Sequence, residues 1–391
     1  MTPFNSALLM GMCCLSVCLA QLGMMMYLPG ISAITQAMNT RSHLTSLSLP
    51  AYLVGMAVPM LIWGKWGAMF GLKKLLIVSL ALFGLCSILL AMCTQIEAFI
   101  TLRLIQGIGA SGMSVIARSL TAHYFKGPAL AKALSWLSIA FVFSLGTGQY
   151  VGALLISAAG WSATFWVLGV GAILHIGWVY RYLPDSRQAH GIPSSWGHYV
   201  MIIRHLPFLF PALTGGVGYG IIMGFSTAAP SILQTTYHWS VNDYGALGWA
   251  VSLAYLLGSL SINRWVSTYG QKTLSRIATR IMLLASVLML MGLMANRSCA
   301  LLLWLPYCGI VFGQAMNYPI SLSKACEYSP VSGPYSMALC GFIHQLLAAF
   351  IGTTVSLLTL RHPLPLALIC LLLAVVVWGL NVAKPTSSRD D

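Results

Sequence analysis

Residues 99–119 read FITLRLIQGIGASGMSVIARS, a run in which Arg103 and Arg118 are the only charged side chains. A helix needs about 20 mostly apolar residues to cross the roughly 30 Å hydrocarbon core of a lipid bilayer. The run therefore predicts a membrane-spanning helix. An arginine inside such a helix costs about 2.5–3.5 kcal/mol on insertion scales, so Arg103 is a candidate functional residue.

Apolar runs of this kind recur along the whole chain of 391 residues, of which 58% are hydrophobic and 7% are charged. Soluble proteins carry about 25% charged residues, so the expected solvent for this chain is lipid. The predicted fold is an all-α membrane protein with 12 transmembrane helices in two six-helix halves. The predicted spans are residues 8–27, 46–66, 75–93, 99–119, 134–156, 164–182, 208–233, 246–262, 277–295, 301–321, 337–360 and 364–382.

Lysines and arginines concentrate in alternate short loops, which is the positive-inside pattern. With both termini in the cytoplasm, all but four of the 20 lysines and arginines fall on the cytoplasmic side. The expected location is the cell inner membrane, with an N-terminal half at residues 1–182, a cytoplasmic linker at 183–207 and a C-terminal half at 208–391. The net charge of +14 forms no clustered basic face, so nucleic acid is not an expected partner.

Residue types that carry enzyme chemistry do not occur in usable patterns. The ten cysteines fall mostly in or beside apolar spans without paired spacing, which predicts neither a disulfide framework nor a metal site. The glycines of GIGASG (107–112) lie inside a predicted membrane helix and not after a strand, so they do not indicate a nucleotide-binding loop. The sequence therefore predicts no enzyme activity and no cofactor.

A glycine followed by lysine recurs at matching places in the two halves. After span two the chain reads GKWGAMFGLKK, with Gly71 before Lys73 and Lys74. After span eight it reads NRWVSTYGQKT, with Gly270 before Lys272. Duplicated halves with a substrate site between them are a common plan of secondary transporters, so the repeat favours transport.

Five short segments follow one another in a characteristic order: YLP (27–29), AYLVG (51–55), RLIQGIGASG (103–112), GWSATF (160–165) and AAPSILQTTYHWS (228–240). Together they resemble the major facilitator superfamily, and within it the Bcr/CflA subfamily of drug/proton antiporters. The resemblance covers spans one to eleven. It implies transport by alternating access, with helices one, four, seven and ten around a central cavity.

The chain departs from the subfamily pattern mainly where that pattern has acids. The differing positions are Met24 and Met25 in helix one, Ala68 and Met69 after helix two, His123 after helix four, and Gly148-Gln149 in place of a Gly-Pro or Ala-Pro step in helix five. None of the six acids lies in the middle of a predicted span. If protons are a transported partner, a histidine has to carry them.

Polar side chains inside the spans are the candidates for contact with a substrate. Gln106 shares a helix face with Arg103, and Gln314 shares one with Asn317, because each pair is three residues apart. His344 can titrate near neutral pH. The predicted cavity set is Arg103, Gln106, Gln21, Met25, Tyr219, Gln314, Asn317, His344 and Gln345. The alternatives are snorkelling of Arg103 to the interface, a packing or interfacial role for His344, and bonds that join helices for the amides of span ten. His175 is interpreted as an interfacial residue.

Residues at the cytoplasmic ends of spans are candidates for gating. The resemblance implies this role for Gly71, Lys73, Lys74 and Arg118, and Gln149 is added as an open candidate. The alternative for the three cations is that they only set the orientation of the chain. Gly148 and Gly152 form a small-x-x-x-small pattern, which predicts close helix packing.

The expected function is efflux of drugs or metabolites by a monomer embedded in the bilayer. An alternative follows from the charges: Arg103 without an acid favours an anionic or zwitterionic metabolite, such as a carboxylate siderophore, carried in either direction. A third possibility is a membrane receptor that does not transport, which saturable flux of a substrate would exclude.

Overall fold

The computed structural model describes residues 6–125, 127–184, 196–331, 334–358 and 362–383. Over these ranges the chain is helical, and no strand is present. A short 3-10 turn, Leu28–Gly30, follows the first helix. The helices are α1 (Ser6–Met25), α2 (Ile31–Ala37), α3 (Ser42–Ser46), α4 (Ser48–Phe70), α5 (Leu72–Ala91), α6 (Ile96–Tyr124), α7 (Gly127–Ala159), α8 (Ser162–Tyr182), α9 (Trp196–Ile203), α10 (Leu206–Thr235), α11 (Val241–Ala295), α12 (Leu301–Glu327), α13 (Pro334–Leu357) and α14 (Pro363–Val382).

Every predicted span coincides with one of these helices over most of its length, because an apolar segment in lipid has to satisfy its backbone hydrogen bonds internally. Residues 359 and 360, the end of the predicted span 337–360, lie outside the described residues. Spans eight and nine lie in the single element α11, which is interrupted by the non-helical Gly270 (φ 73°, ψ 158°). Of the predicted linker, residues 185–195 lie outside the described residues, and α9 lies in the remainder.

Eleven described helices are long and apolar enough to cross a membrane, whereas the sequence predicted twelve. The helix that is not among the eleven is α12, although its 27 residues make it longer than most of the others. It carries Gln314 and Asn317 on its buried side and two internal prolines, Pro306 and Pro319. The polar residues that lower its hydropathy are the same ones that make it a candidate for function.

The chain divides into two compact units. Unit 1 comprises Met1–Ser194 with Ser240–Trp249, and unit 2 comprises Ser195–Trp239 with Ala250–Asp391. In unit 1, α6 packs against α4 and α5, while α1 packs against α7. In unit 2, α10 is the central helix and packs against α12, α13 and α14.

The crossing of α4 and α6 positions the main polar cluster of unit 1. A Cβ on Gly55 would overlap the carbonyl oxygen of Leu104, and a Cβ on Gly107 would overlap that of Tyr52. Residues without side chains let two membrane helices approach closely, as seen here. This close approach places Tyr52 of α4 beside Arg103 of α6.

The close packing predicted from Gly148 and Gly152 is confirmed in α7. A Cβ on Gly152 would overlap the carbonyl oxygen of Met26, and one on Gly148 would lie 3.3 Å from the Cβ of Met25. The end of α1 at Met25, and Met26 that follows it, therefore pack directly against the backbone of α7.

Candidate functional site

Arg103 lies at the centre of a cage formed by α1, α4 and α6. Its side chain is fully buried, with 0% exposure. Its Nη1 donates to the carbonyl oxygen of Gly23 at 2.8 Å and to Oε1 of Gln106. The guanidinium carbon stands 4.3 Å from the ring centroid of Tyr27 and 4.4 Å from that of Tyr52. Arg103 therefore does not snorkel to an interface.

Further hydrogen bonds fix the groups that surround the arginine. Gln106 Nε2 donates to Ser87 Oγ of α5 at 2.7 Å. The hydroxyl of Tyr52 donates to the carbonyl oxygen of Ala20 at 2.7 Å. The hydroxyl of Tyr27 lies 2.8 Å from Ser48 Oγ. The cage is thus tied to four helices and does not depend on Arg103 alone.

The charge of Arg103 has no carboxylate to balance it in the described part of the chain. The described acids are Glu97, Asp243 and Glu327, and each lies in the first or last turn of a helix. Instead, the guanidinium contacts the faces of aromatic rings and a carbonyl oxygen. A cation–π contact that is shielded from water stabilises the charge by about 2 kcal/mol. Its Nε and Nη2 have no hydrogen-bond partner. A buried cation with two unused donors can bind an anion or a neutral acceptor once the cage opens.

Three other predicted residues of unit 1 lie on α1 and α7. Met25 and Gln149 are brought together, with Gln149 Nε2 3.8 Å from the sulfur of Met25. Gln21 is buried, and its Oε1 has no hydrogen-bond partner. The roles of these residues in a cavity or gate remain predictions.

In unit 2, two amides of α12 bind the backbone of α10. Gln314 Nε2 donates to the carbonyl oxygen of Gly215 at 2.9 Å. Asn317 Nδ2 lies 3.5 Å from the carbonyl oxygen of Thr214 and 3.4 Å from Gln314 Oε1. A Cβ on Gly218 would overlap Gln314 Oε1, so the glycine makes room for this contact. In this conformation both amides join helices.

The amide cluster continues across unit 2 through residues that the sequence analysis did not identify. Ser275 Oγ lies 3.5 Å from Asn317 Oδ1 and donates to Asn381 Oδ1 at 2.9 Å. Asn381 Nδ2 donates to Thr279 Oγ1 at 3.0 Å. Asn381, in the last turn of α14, could have been identified from the sequence, because an amide inside a membrane span needs hydrogen-bond partners.

The remaining predicted residues of unit 2 lie on α10 and α13. His344 is buried, with Nε2 3.4 Å from the sulfur of Cys340 and its ring 5.0 Å from the ring of Tyr318. The ring of Tyr219 lies 6.3 Å from that of Tyr318. Gln345 follows His344 and is half-buried. His344 and Tyr219 therefore meet the same tyrosine.

The predicted gating residues lie at helix ends. Gly71 precedes α5 with a φ of 89°. Lys73 is half-buried, with Nζ 5.6 Å from the ring centroid of Tyr180, while Lys74 and Arg118 are exposed. Their gating role remains a prediction.

The interpretation of His175 as an interfacial residue is wrong. The side chain is buried, and its Nε2 lies 2.8 Å from Ser16 Oγ of α1. Ser16 Oγ in turn donates to the carbonyl oxygen of Met12 at 2.9 Å. The signal was the spacing of Leu168, Ala172, His175 and Val179, which places the histidine on the buried stripe of α8.

Long apolar helices in two units, each with a buried polar cluster, define a polytopic membrane protein. Residues 13–353 match the family model of the Major Facilitator Superfamily. The chain belongs to this superfamily, and its function is the secondary transport of small molecules.

Similar proteins agree with this assignment. A bicyclomycin resistance protein homolog of Haemophilus influenzae is 21% identical over 378 residues, which cover 94% of each chain. A chloramphenicol resistance protein of Pseudomonas aeruginosa is 25% identical over 95% of this chain and 89% of its own. The crystal structure of a D-xylose–proton symporter superposes with a TM-score of 0.74 over 96% of this chain and 97% of its own, at 15% identity. That likeness shows the fold alone.

Proposed function

We propose that the chain exports small organic molecules that carry no positive charge, by alternating access across the cell inner membrane with both termini in the cytoplasm. The observation that carries the proposal is that Arg103 is buried and that no carboxylate in the described part of the chain balances its charge. A cationic substrate within 4 Å of it would be repelled by about 4 kcal/mol at an effective dielectric constant of 20. The two similar proteins named for drug resistance support the outward direction.

In this proposal each unit has candidate substrate contacts in its own buried cluster. Arg103 and Gln106 act with the rings of Tyr27 and Tyr52 in unit 1. The amide pair of α12 acts in unit 2, where its bonds to α10 open when a substrate competes for them. The functional halves are taken as residues 1–182 and 208–391, joined by 183–207, with one chain acting alone.

The driving ion in this proposal is the proton. The described spans hold no carboxylate in their middle turns, so an imidazole takes the place of the acid. His344 and His175 are both buried, and His344 lies next to the titratable groups Cys340 and Tyr318.

A ligand screen on the purified full-length protein tests the substrate class. The panel contains lipophilic cations, neutral drugs and polycarboxylates, and the readout is the thermal unfolding midpoint, since a ligand at 100 times its Kd stabilises by about 2.7 kcal/mol. We expect neutral or anionic compounds to raise the midpoint of the wild type and to lose this effect in Arg103→Gln. The control Arg297→Gln removes an exposed arginine and keeps the response.

Stabilisation by lipophilic cations that survives in Arg103→Gln would contradict the proposed class. Saturable flux of the stabilising compound into proteoliposomes separates a transporter from a receptor that only binds.

A second candidate function is a carrier of an anionic metabolite such as a carboxylate siderophore. The observation that favours it is the pair of unpartnered donors, Nε and Nη2 of Arg103. These two nitrogens form one edge of the guanidinium and match the two oxygens of a carboxylate. Arg103→Lys distinguishes the candidates, because an ammonium keeps the charge but lacks the paired donors. Loss of polycarboxylate binding in this variant supports the anion carrier.

A further inference from the structure

A basic pocket lies where the start of α5 meets the end of α8. Its volume is about 450 Å³, and it is lined by Lys73, Lys74 and Ile77 of α5 and by Tyr180 and Arg181 of α8. Three of these five residues are cations, and none is a carboxylate. The pocket is therefore a cluster of positive charge in unit 1, and it shares no residue with the Arg103 cage.

The position of the two lysines is electrostatically unfavourable for α5 itself. The helix begins at Leu72, so Lys73 and Lys74 stand in its first turn. This end of a helix carries partial positive charge and favours anions, while cations are favoured at the other end. An anion in the pocket would be favoured by the helix end and by the two lysines together.

The aromatic residues at the pocket place it at the level of lipid headgroups. The ring of Tyr180 is 72% exposed and lies 5.6 Å from Lys73 Nζ. The guanidinium of Arg181 lies 5.6 Å from the ring centroid of Tyr182, which is also exposed. Tyrosines in such positions are enriched where a membrane protein passes from hydrocarbon to water.

The surface that continues from the pocket along both helices is apolar. Val78 and Leu85 of α5 are 52% and 57% exposed, and Leu174 and Val170 of α8 are 70% and 49% exposed. In a membrane these side chains face acyl chains. A ligand that fits both parts has a negatively charged head and a hydrocarbon body.

We propose that this pocket binds the phosphate headgroup of an anionic phospholipid, whose acyl chains lie along the exposed faces of α5 and α8. In this proposal the lysines and Arg181 bind the phosphate oxygens, and Ile77 is the apolar residue of the lining. Basic pockets between membrane helices on the cytoplasmic side hold anionic headgroups in this way. The leaflet occupied is the cytoplasmic one in the orientation proposed above.

The test compares lipid retention by the full-length protein in detergent, measured by native mass spectrometry. The probes are phosphatidylglycerol and phosphatidylcholine with matched acyl chains, and the pocket variant combines Lys74→Gln with Arg181→Gln. Both side chains are exposed, so the variant is expected to fold. The control variant combines Arg264→Gln with Arg280→Gln, two exposed arginines of α11, and removes the same charge.

We expect the pocket variant to retain phosphatidylglycerol about 25-fold less than the wild type and the control, because each of the two basic residues removed contributes about fivefold near an anionic lipid. Phosphatidylcholine should bind all three equally. Equal retention of phosphatidylglycerol by the two variants would overturn the proposal. So would displacement of the lipid by millimolar inorganic phosphate, which would identify a site for a soluble anion. If the double variant fails to fold, the single variant Lys74→Gln is compared with the single control Arg264→Gln in the same measurement.

Discussion

Arg103 is oriented by neighbours that come from different helices, and the cage depends on their spacing. The carbonyl oxygen of Gly23 and the ring of Tyr52 belong to α1 and α4, while Gln106 belongs to its own helix. Such a cage fixes a planar guanidinium and excludes water from it. A small movement of α4 against α6 would expose the charge or bury it without its ring partner.

Gly107→Ala tests this dependence at the scale of one residue. The added methyl group would overlap the carbonyl oxygen of Tyr52, so α4 has to move away from α6. We expect a loss of stability of about 1–3 kcal/mol, as for other overpacked sites, together with weaker ligand binding at Arg103. The measurement is the thermal unfolding midpoint with and without the best compound of the screen.

The matched control is Gly177→Ala in α8, where nothing lies within 4 Å of the added Cβ. This variant should unfold at or slightly above the wild-type midpoint, because alanine favours a helix over glycine. An unchanged midpoint in Gly107→Ala would mean that the α4–α6 crossing adjusts freely, and the cage would then not depend on it.

At the scale of elements, the two glycine turns predicted from the repeat adopt related backbone conformations. Gly71 has a φ of 89° before α5, and Gly270 has a φ of 73° within α11. Both lie in the positive-φ region that side chains other than glycine avoid. The turns separate the second helix from the third in each half.

Gly270→Ala should therefore cost about 1–3 kcal/mol through backbone strain alone, because its ψ of 158° lies in a region that only glycine adopts readily and no atom lies within 4 Å of the added Cβ. The reference is Gly379→Ala in α14, which also has open space around it but no positive φ. The difference in unfolding midpoint between the two variants contains the strain at position 270 and the gain of up to about 1 kcal/mol that alanine brings over glycine within α14. If the two variants unfold at the same temperature, the turn relaxes and does not need glycine.

The helices themselves could be predicted from sequence, because lipid imposes one rule on every span: about 20 apolar residues with internal hydrogen bonds. The pair Arg103 and Gln106 was also predictable, since it depends only on spacing within one helix. The partners Gly23 and Tyr52 were not, because contacts between helices depend on which small residues let two backbones approach. His175 was misinterpreted because it was judged from Gly177 and Trp178 beside it on the chain, and not from the buried helix face that it shares with Val179.

At the scale of the whole molecule, charge balance limits how transport can be driven. The described acids lie only at helix ends, so no carboxylate in the middle of a described span can alternate between charged and neutral forms. A transporter that moves a solute against its gradient still needs a group that takes up and releases the driving ion on opposite sides. Among the buried groups in the described part of the chain, imidazoles are the ones whose ordinary pKa lies nearest to neutral pH.

Export of a neutral substrate in exchange for one proton moves one positive charge inward, so both the pH gradient and the membrane potential should drive it. We expect His344→Gln to remove the response to an imposed pH gradient in proteoliposomes while leaving counterflow of labelled against unlabelled substrate intact. Counterflow needs alternating access but no net proton movement, so it separates lost coupling from lost folding.

The control His123→Gln replaces an exposed histidine in the last turn of α6 and should keep both activities. If His344→Gln still responds to the pH gradient, the same assay on His175→Gln and on the double variant decides whether the other buried imidazole carries the proton. A gradient response that persists in the double variant would show that neither histidine does, and the proposed coupling would be wrong.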